Sequence, residues 1–170
     1  MTRRLVLALV LVVAVAWLGS RAVQAFDQDR HTAEAAAVLA APDKVSHELP
    51  PVQAAPPPGS PGGQFAYRPG TWLSVVDLRG LEPAAGDERY LVFVRNWAGW
   101  TLAGAARPAP DGTAQVRSGA EPRPPTIYEV IVTRAVDDAT SIPHGQPVLQ
   151  WFDASLAPPK ARKFDFALGT

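Results

Sequence analysis

The 170-residue chain contains no cysteine and has no excess of charge of either sign. The absence of cysteine excludes disulfides, thiolate nucleophiles and cysteine-ligated zinc. Sixteen basic residues balance sixteen acidic ones, so the composition shows no excess of positive charge of the kind that marks a nucleic-acid-binding protein. No nucleic-acid partner is therefore expected.

Residue patterns for catalysis and metal binding are also sparse. The three histidines, His31, His47 and His144, are far apart in the sequence, whereas a zinc site needs several converging ligands. Ser141 and His144 lie close to Asp137 and Asp138, but neither a Gly-x-Ser-x-Gly elbow nor a phosphate-binding glycine loop accompanies them. We expect no catalytic residues, no metal and no cofactor, and predict that the protein is not an enzyme.

Paired carboxylates for glycoside hydrolysis would have to face each other across a cleft. The acidic residues that could be candidates for such a role are interpreted instead as solvated charges in turns or at strand ends: Glu82, Asp87, Glu88, Glu121 and Glu129.

What the sequence does contain is an apolar N-terminal run. Two arginines precede the apolar stretch Leu5–Leu18, a pattern that keeps the N-terminus cytoplasmic and directs export of the remainder of the chain. Two fates remain open: a signal peptide cleaved after Ala25, or a retained single-pass membrane anchor. An alanine-rich stalk over 22–41, ended by Pro42, favours retention because one helix would then run from the membrane into the stalk. In both cases the domain after this segment is expected to be extracytoplasmic. The protein is membrane-bound if the segment is retained and secreted if it is cleaved.

Beyond the stalk, the abundance of proline and glycine favours strands joined by turns over helices. An N-terminal signal-anchor and stalk helix at 1–41 is followed by a Pro/Gly-rich arm and linker at 42–63, a β-sandwich domain at 64–156 and a C-terminal tail at 157–170. A short edge strand is expected within 45–52 of the arm. The predicted fold class is all-β, an antiparallel β-sandwich of about seven strands preceded by an N-terminal transmembrane and stalk helix. The predicted strands cover 64–67, 71–78, 89–97, 101–107, 113–117, 126–135 and 147–152.

The stretch 89–118 is interpreted as the centre of this domain. Its first strand has apolar residues on both faces, which predicts an inner position in a sheet. The turn Pro110-Asp111-Gly112 predicts a hairpin between the two strands that flank it, because aspartate and glycine suit tight turns.

Tryptophans lie around the same stretch. Trp97 and Trp100 occupy the connection after the predicted inner strand, and Trp72 and Trp151 lie on other strands. Two interpretations remain open: an aromatic rim that binds a peptide, glycan or lipid surface, or large rings that cap the end of the core. Trp97 and Trp100 are the candidate partner-binding residues.

A basic cluster at 160–163 would either contact phosphate groups or form part of a solvated tail.

Several short motifs follow one another in a recognisable order. An Ala-Pro-Asp step at 41–43 is followed by a Gly-Leu-x-Pro turn at 80–83, the strand Tyr-x-Val-Phe-Val at 90–94, an Asp-Gly turn at 111–112 and Gly-x-Pro-Val-Leu at 145–149. In this order they resemble the exported C-terminal domain of the anti-sigma-K factor family. Phe93 stands where that family usually has tryptophan, and residues 134–138 replace its Glu-Pro and Gly-rich segment.

The resemblance implies a sensor-side β-sandwich that acts by protein contact. The cytoplasmic zinc-binding anti-sigma module of that family is missing before the apolar run, so sigma-factor sequestration is not expected of this chain alone. The predicted function is that of a non-enzymatic, membrane-tethered extracytoplasmic module that contacts an envelope or membrane protein, by strand addition or through Trp97 and Trp100. The alternatives are an exported carbohydrate- or ligand-binding module that uses surface tryptophans, and an accessory subunit of a membrane complex.

Overall fold

A computed structural model describes residues 32–53, 56–119, 126–136 and 140–158. The chain divides into two compact units, Met1–Ala37 and Val38–Thr170. In the first unit residues 32–37 are helical, and the helix ends at residue 40, two positions before Pro42. Within the described ranges no helix is long and apolar enough to span a membrane. The predicted membrane segment Leu5–Leu18 and the cleavage site at Ala25 lie outside the described residues.

The described part of the second unit forms eight strands. They are β1 (Val45–Leu49), β2 (Gly62–Tyr67), β3 (Ser74–Arg79), β4 (Arg89–Asn96), β5 (Gly99–Ala106), β6 (Ala114–Ser118), β7 (Glu129–Ala135) and β8 (Gln146–Phe152). Strand β1 falls within the arm, where the sequence predicts an edge strand, and it raises the number from about seven to eight.

Two antiparallel four-stranded sheets contain these strands. Sheet A has the order β1-β2-β3-β6, and sheet B has the order β5-β4-β7-β8. Apolar side chains from both sheets meet in one buried cluster, which includes Phe65 and Val76 of sheet A and Val92, Val130 and Leu149 of sheet B. The prediction of an all-β antiparallel sandwich is confirmed.

Strand β4 is an inner strand of sheet B, as the sequence predicts. Its residues Val92 and Val94 face the core between the sheets. Leu91 and Phe93 point to the other face, where they form a second buried cluster with Ile131 of β7. The outer face of sheet B is therefore apolar at its centre as well.

The predicted hairpin around Asp111 and Gly112 is wrong. The turn exists, with Gly112 at φ 76°, but β5 pairs with β4 in sheet B whereas β6 pairs with β3 in sheet A. The turn is held to the β3–β4 loop, because the Leu81 amide donates to the Gly112 carbonyl at 2.9 Å. Gly104 of β5 lets β6 approach closely, since a Cβ there would lie 2.8 Å from Val116 Cγ1. The connection therefore passes from one sheet to the other.

The chain makes a second passage between the sheets just after β1. The Val52 amide donates to the Val148 carbonyl at 3.0 Å, and the Gln150 amide donates to the Pro50 carbonyl at 3.0 Å. Pro51 forms a β-bridge with Leu149 between these two bonds. Residues 50–52 thus cover part of the β8 edge.

The sandwich has two ends that carry different loops. The β2–β3 loop, the β4–β5 turn, the start of β1 and the segment after β8 lie together at one end, called here the Trp end. The β3–β4 loop, the β5–β6 turn and the β7–β8 loop lie at the other, called here the arm end.

Candidate functional site

Trp97 lies in the tight turn that joins β4 to β5, and Trp100 is the second residue of β5. Asn96 stabilises this turn by accepting a hydrogen bond at Oδ1 from the Ala98 amide at 2.9 Å. The Trp97 side chain is 73% exposed, yet its Nε1 donates to the Leu156 carbonyl at 2.8 Å. The indole ring is therefore presented to solvent and held in place at the same time.

Trp100 lies on the outer face of sheet B, directly opposite Arg95 in the β4–β5 register. The guanidinium carbon of Arg95 is 5.1 Å from the centre of the Trp100 ring and 5.8 Å from that of Tyr128. Both distances allow cation–π attraction. Burial raises the pKa of Tyr128, and the positive charge of Arg95 partly opposes this shift. We call Arg95, Trp100 and Tyr128 the Arg95 platform.

Glu129 supports this platform from within the sheet. The residue is 3% exposed, and its Oε2 lies 3.2 Å from Nη1 of Arg95 while its Oε1 accepts a hydrogen bond from Nε2 of Gln150 at 2.8 Å. The interpretation of Glu129 as a solvated charge is wrong. Its position on β7 places it between Arg95 of β4 and Gln150 of β8, where a buried carboxylate finds the partners it requires.

The other two described tryptophans, Trp72 and Trp151, have different environments. Trp72 in the β2–β3 loop is 48% exposed and lies at the Trp end. Trp151 on β8 packs against the core, with its ring centre 4.1 Å from that of His47 and 5.8 Å from that of Phe65. The rim interpretation therefore fits the exposure of Trp97 and Trp72, and the core interpretation fits Trp151.

A pocket of about 180 Å³ lies at the arm end. Its walls combine prolines and valines with polar side chains, among them Glu82, Tyr90 and Arg134. Arg134 lies 2.7 Å from Glu88 and 3.1 Å from Glu82, and Tyr90 donates to the Glu82 backbone carbonyl at 3.0 Å. The hydrogen bond from Arg134 lowers the pKa of Glu88. The guanidinium charge is thus already balanced by carboxylates of the same chain.

Among the described residues, the candidates for catalysis or metal binding lie in separate environments. In the part of the chain that the structure describes, no group of three or more His, Cys, Asp or Glu side chains is positioned to hold a metal ion. His47 stacks on Trp151, whereas Nδ1 of His144 lies 2.9 Å from the Thr140 hydroxyl. The positions of His31, Asp137 and Asp138 lie outside the described residues.

A scan against protein-family models, a search of curated proteins and a search of solved structures each find no match for this chain. Function therefore has to be inferred from geometry, and the geometry adds Arg95, Glu129 and Gln150 to the two predicted tryptophans.

The sequence contained a signal that Arg95 lies beside Trp100. A two-residue turn at Trp97 and Ala98 places position 95 opposite position 100, because residues pair outward from the turn.

Proposed function

We propose that this chain is a non-enzymatic, membrane-tethered extracytoplasmic β-sandwich module that acts by protein–protein contact in the cell envelope. The contact surface is the Arg95 platform, with Trp97 at its rim. The apolar run Leu5–Leu18, preceded by two arginines, supports both the tether and the export of the sandwich.

The observation that carries the protein contact is the arrangement of Arg95 over Trp100. Tryptophan, tyrosine and arginine are the residues most enriched among those that dominate binding energy at protein interfaces. Here the arginine side chain remains 34% exposed while Glu129 fixes its guanidinium group over the rings. A side chain already held in one geometry loses less conformational entropy when a partner binds.

Strand addition is a less favourable mode of contact at the two edges of sheet B, which are β5 and β8. Residues 50–52 already cover part of the β8 edge, and prolines at 50 and 51 offer no amide donors. Strand β5 carries an irregularity opposite Val92 and Phe93, and irregular edges hinder pairing with a further strand.

The motif order supports a likeness to the sensor-side domain of anti-sigma-K factors. On this proposal the module responds to, or docks onto, a membrane or envelope protein. The partner is accordingly a protein with a surface that accepts an aromatic ring and a guanidinium group.

Site-specific photo-crosslinking in cells that produce the full chain tests the contact. A photoreactive residue replaces Ala98, next to the platform, and in a matched strain it replaces Ala85 at the arm end; both positions are exposed. We expect a discrete protein adduct from position 98 that is absent from position 85.

The Trp100→Ala substitution should then weaken that adduct strongly, because loss of a dominant interface residue lowers affinity by about thirtyfold or more. Leu102→Ala, two residues along the same face of β5, should leave most of it. Equal adducts from both positions, or an adduct insensitive to Trp100→Ala, would contradict the proposal.

One observation favours a second candidate function, carbohydrate binding. An exposed indole ring with a fixed orientation, as in Trp97, is a suitable stacking surface for a sugar ring. Titration of the full chain with a glycan panel should then quench tryptophan fluorescence, and Trp97→Ala should abolish the quenching. A flat response across the panel excludes this candidate for the glycans tested.

A further inference from the structure

The inner face of sheet B ends in polar residues at the arm end. Tyr90 of β4, Arg134 of β7 and Gln146 of β8 lie side by side in the strand register, one row beyond the apolar pair Val92 and Val132. Tyr90 is 2% exposed and belongs to the core between the sheets. Because directly opposed residues share a face, the core ends in a guanidinium and an amide, and these line the pocket at the arm end, called here the arm-end pocket.

The apolar walls of the arm-end pocket are held in place by the fold itself. Val52 belongs to the segment that crosses to β8, and its amide donates to the Val148 carbonyl at 3.0 Å. Pro61 follows Ser60, whose hydroxyl donates to the Pro57 carbonyl at 2.6 Å. The pocket is therefore formed in advance of any ligand. Its volume of about 180 Å³ is smaller than the roughly 300–1,000 Å³ of sites for drug-sized molecules, so it suits a group of only a few carbon atoms.

Two carboxylates bind the Arg134 guanidinium, and they differ in how firmly they hold it. Oε2 of Glu88 accepts from both Nε and Nη2 of Arg134, at 2.9 and 2.7 Å, and the Glu88 side chain is 31% exposed. Glu82 makes one contact, with Nη1 at 3.1 Å, and its side chain is 81% exposed. An ion pair with so exposed a carboxylate contributes little, because water competes for the charge. Glu88 is therefore the permanent partner of Arg134, and Glu82 is the exchangeable one.

The backbone of Glu82 is fixed independently of its side chain. The Tyr90 hydroxyl donates to the Glu82 carbonyl at 3.0 Å, and the preceding Leu81 amide donates to the Gly112 carbonyl at 2.9 Å. The Glu82 side chain can therefore turn into solvent without movement of the loop. The pocket then presents the Arg134 guanidinium, whose side chain is only 22% exposed, beside apolar walls. A positive charge in such surroundings attracts an anion strongly, and the planar guanidinium matches the geometry of a carboxylate.

We propose that the arm-end pocket binds a carboxylate carried on a short branched apolar group. The ligand carboxylate takes the place of Glu82 on Nη1 of Arg134. Its apolar group packs against Val52 and Val148. Exchange of one carboxylate for another leaves the charge around Arg134 unchanged, whereas the ligand adds apolar burial that Glu82 does not provide. A cation would instead have to lie beside the guanidinium, which also lines the pocket.

Saturation-transfer NMR of the full chain in detergent measures this binding, with isovalerate as the probe and isovaleramide as its uncharged matched control. A sample of detergent alone corrects for partition of the probes into micelles. We expect isovalerate to bind about tenfold or more tightly than isovaleramide, because a hydrogen bond between two charged groups is the stronger kind. Acetate should bind more weakly than isovalerate, since each buried methylene strengthens binding about fourfold. Equal binding of isovalerate and isovaleramide, or of isovalerate and acetate, would overturn the proposal.

Substitution of Glu82 decides the sign of the effect. Glu82→Gln removes the competing carboxylate and should tighten isovalerate binding about two- to fivefold, a gain that an unfolded variant could not produce. Asp87→Asn is the matched control. It removes a charge from the same loop, but Asp87 pairs with Arg107, so isovalerate binding should stay within about twofold of wild type. Arg134→Gln should abolish binding. If Glu82→Gln weakens isovalerate binding, the carboxylate site is wrong.

Free branched-chain acids and the C-terminal residue of a polypeptide both carry such a group, and one further probe separates the two sources. If acetylglycylleucine binds more tightly than isovalerate, the ligand is a chain terminus; if it binds more weakly, the ligand is a free acid. Either result supports the carboxylate site. The inference goes beyond the proposed protein contact and depends on neither the tether nor the Arg95 platform. Its failure is distinguishable from theirs, because the crosslink from position 98 does not involve the arm-end pocket.

Discussion

Glu129 is the residue on which the candidate site depends most. Its buried carboxylate holds the Arg95 guanidinium and accepts a hydrogen bond from Gln150, so its loss removes the acceptor for both. We predict that Glu129→Ala lowers the free energy of unfolding by about 1–3 kcal/mol, because buried donors without acceptors are costly. Urea unfolding of the full chain in detergent, followed by circular dichroism, measures the change. The matched control is Glu48→Ala on exposed β1 surface, expected to stay within about 0.5 kcal/mol of wild type.

The same substitution carries a functional prediction. With Glu129 absent, Arg95 no longer has a fixed position over Trp100, so the crosslink from position 98 should weaken even where the protein remains folded. A fully stable Glu129→Ala protein with an unchanged adduct would show that Glu129 has neither role.

His47 gives the sandwich a dependence on pH. Burial against Trp151 lowers its pKa from the ordinary value of 6.5, and the negative charge of Asp153 opposes this only in part. The unfolded chain therefore binds the proton more readily than the folded chain, and stability falls as the pH drops below 6.5 towards the folded pKa.

We predict a lower urea midpoint at pH 5 than at pH 7, and a smaller difference between the two in His47→Phe. Phenylalanine keeps a ring on Trp151 and does not titrate. Ser46→Ala on the same strand should retain the wild-type difference. If His47→Phe and Ser46→Ala lose equal stability between pH 7 and pH 5, the acid sensitivity lies elsewhere.

At the scale of elements, the passage from β5 to β6 depends on a glycine. A Cβ at position 104 would lie 2.8 Å from Val116 Cγ1, closer than carbon atoms normally approach. We predict that Gly104→Ala destabilises the fold by about 1–3 kcal/mol, the usual cost of overpacking a filled core.

A double-mutant cycle tests the cause. Val116→Ala removes the atom that clashes, so Gly104→Ala should cost less in that background than in wild type. Equal costs in the two backgrounds would mean that the close approach of β5 and β6 does not explain the glycine.

Local patterns in the sequence predicted most strands, because alternation and turn residues act within one element. They failed at the β5–β6 turn, since the chemistry of Asp111 and Gly112 fixes the bend but not the sheet that the next strand joins. They failed again at Glu129, whose burial depends on Arg95 and Gln150 from two other strands. Trp97 and Trp100 were recognisable as surface candidates because one lies in a short turn and the other just after it.

At the scale of the whole molecule, the two ends of the sandwich are chemically distinct. The Trp end carries the exposed aromatic side chains and both connections to the outer segments, whereas the arm end carries the pocket and the paired Arg134. A tethered module needs this polarity, because its partner surface must face a defined direction. The orientation of this surface depends on the proposed tether and on export of the sandwich, and these two together form the central claim.

The measurement that tests this claim most directly is intact mass and N-terminal mapping of the protein from the native membrane fraction, combined with protease treatment from the extracytoplasmic side. We predict a chain that retains Leu5–Leu18, stays with the membrane after carbonate extraction and has its sandwich within reach of the protease. A chain that begins at Phe26 and leaves with the soluble fraction, or a sandwich that the protease reaches only after the membrane is opened, would contradict it.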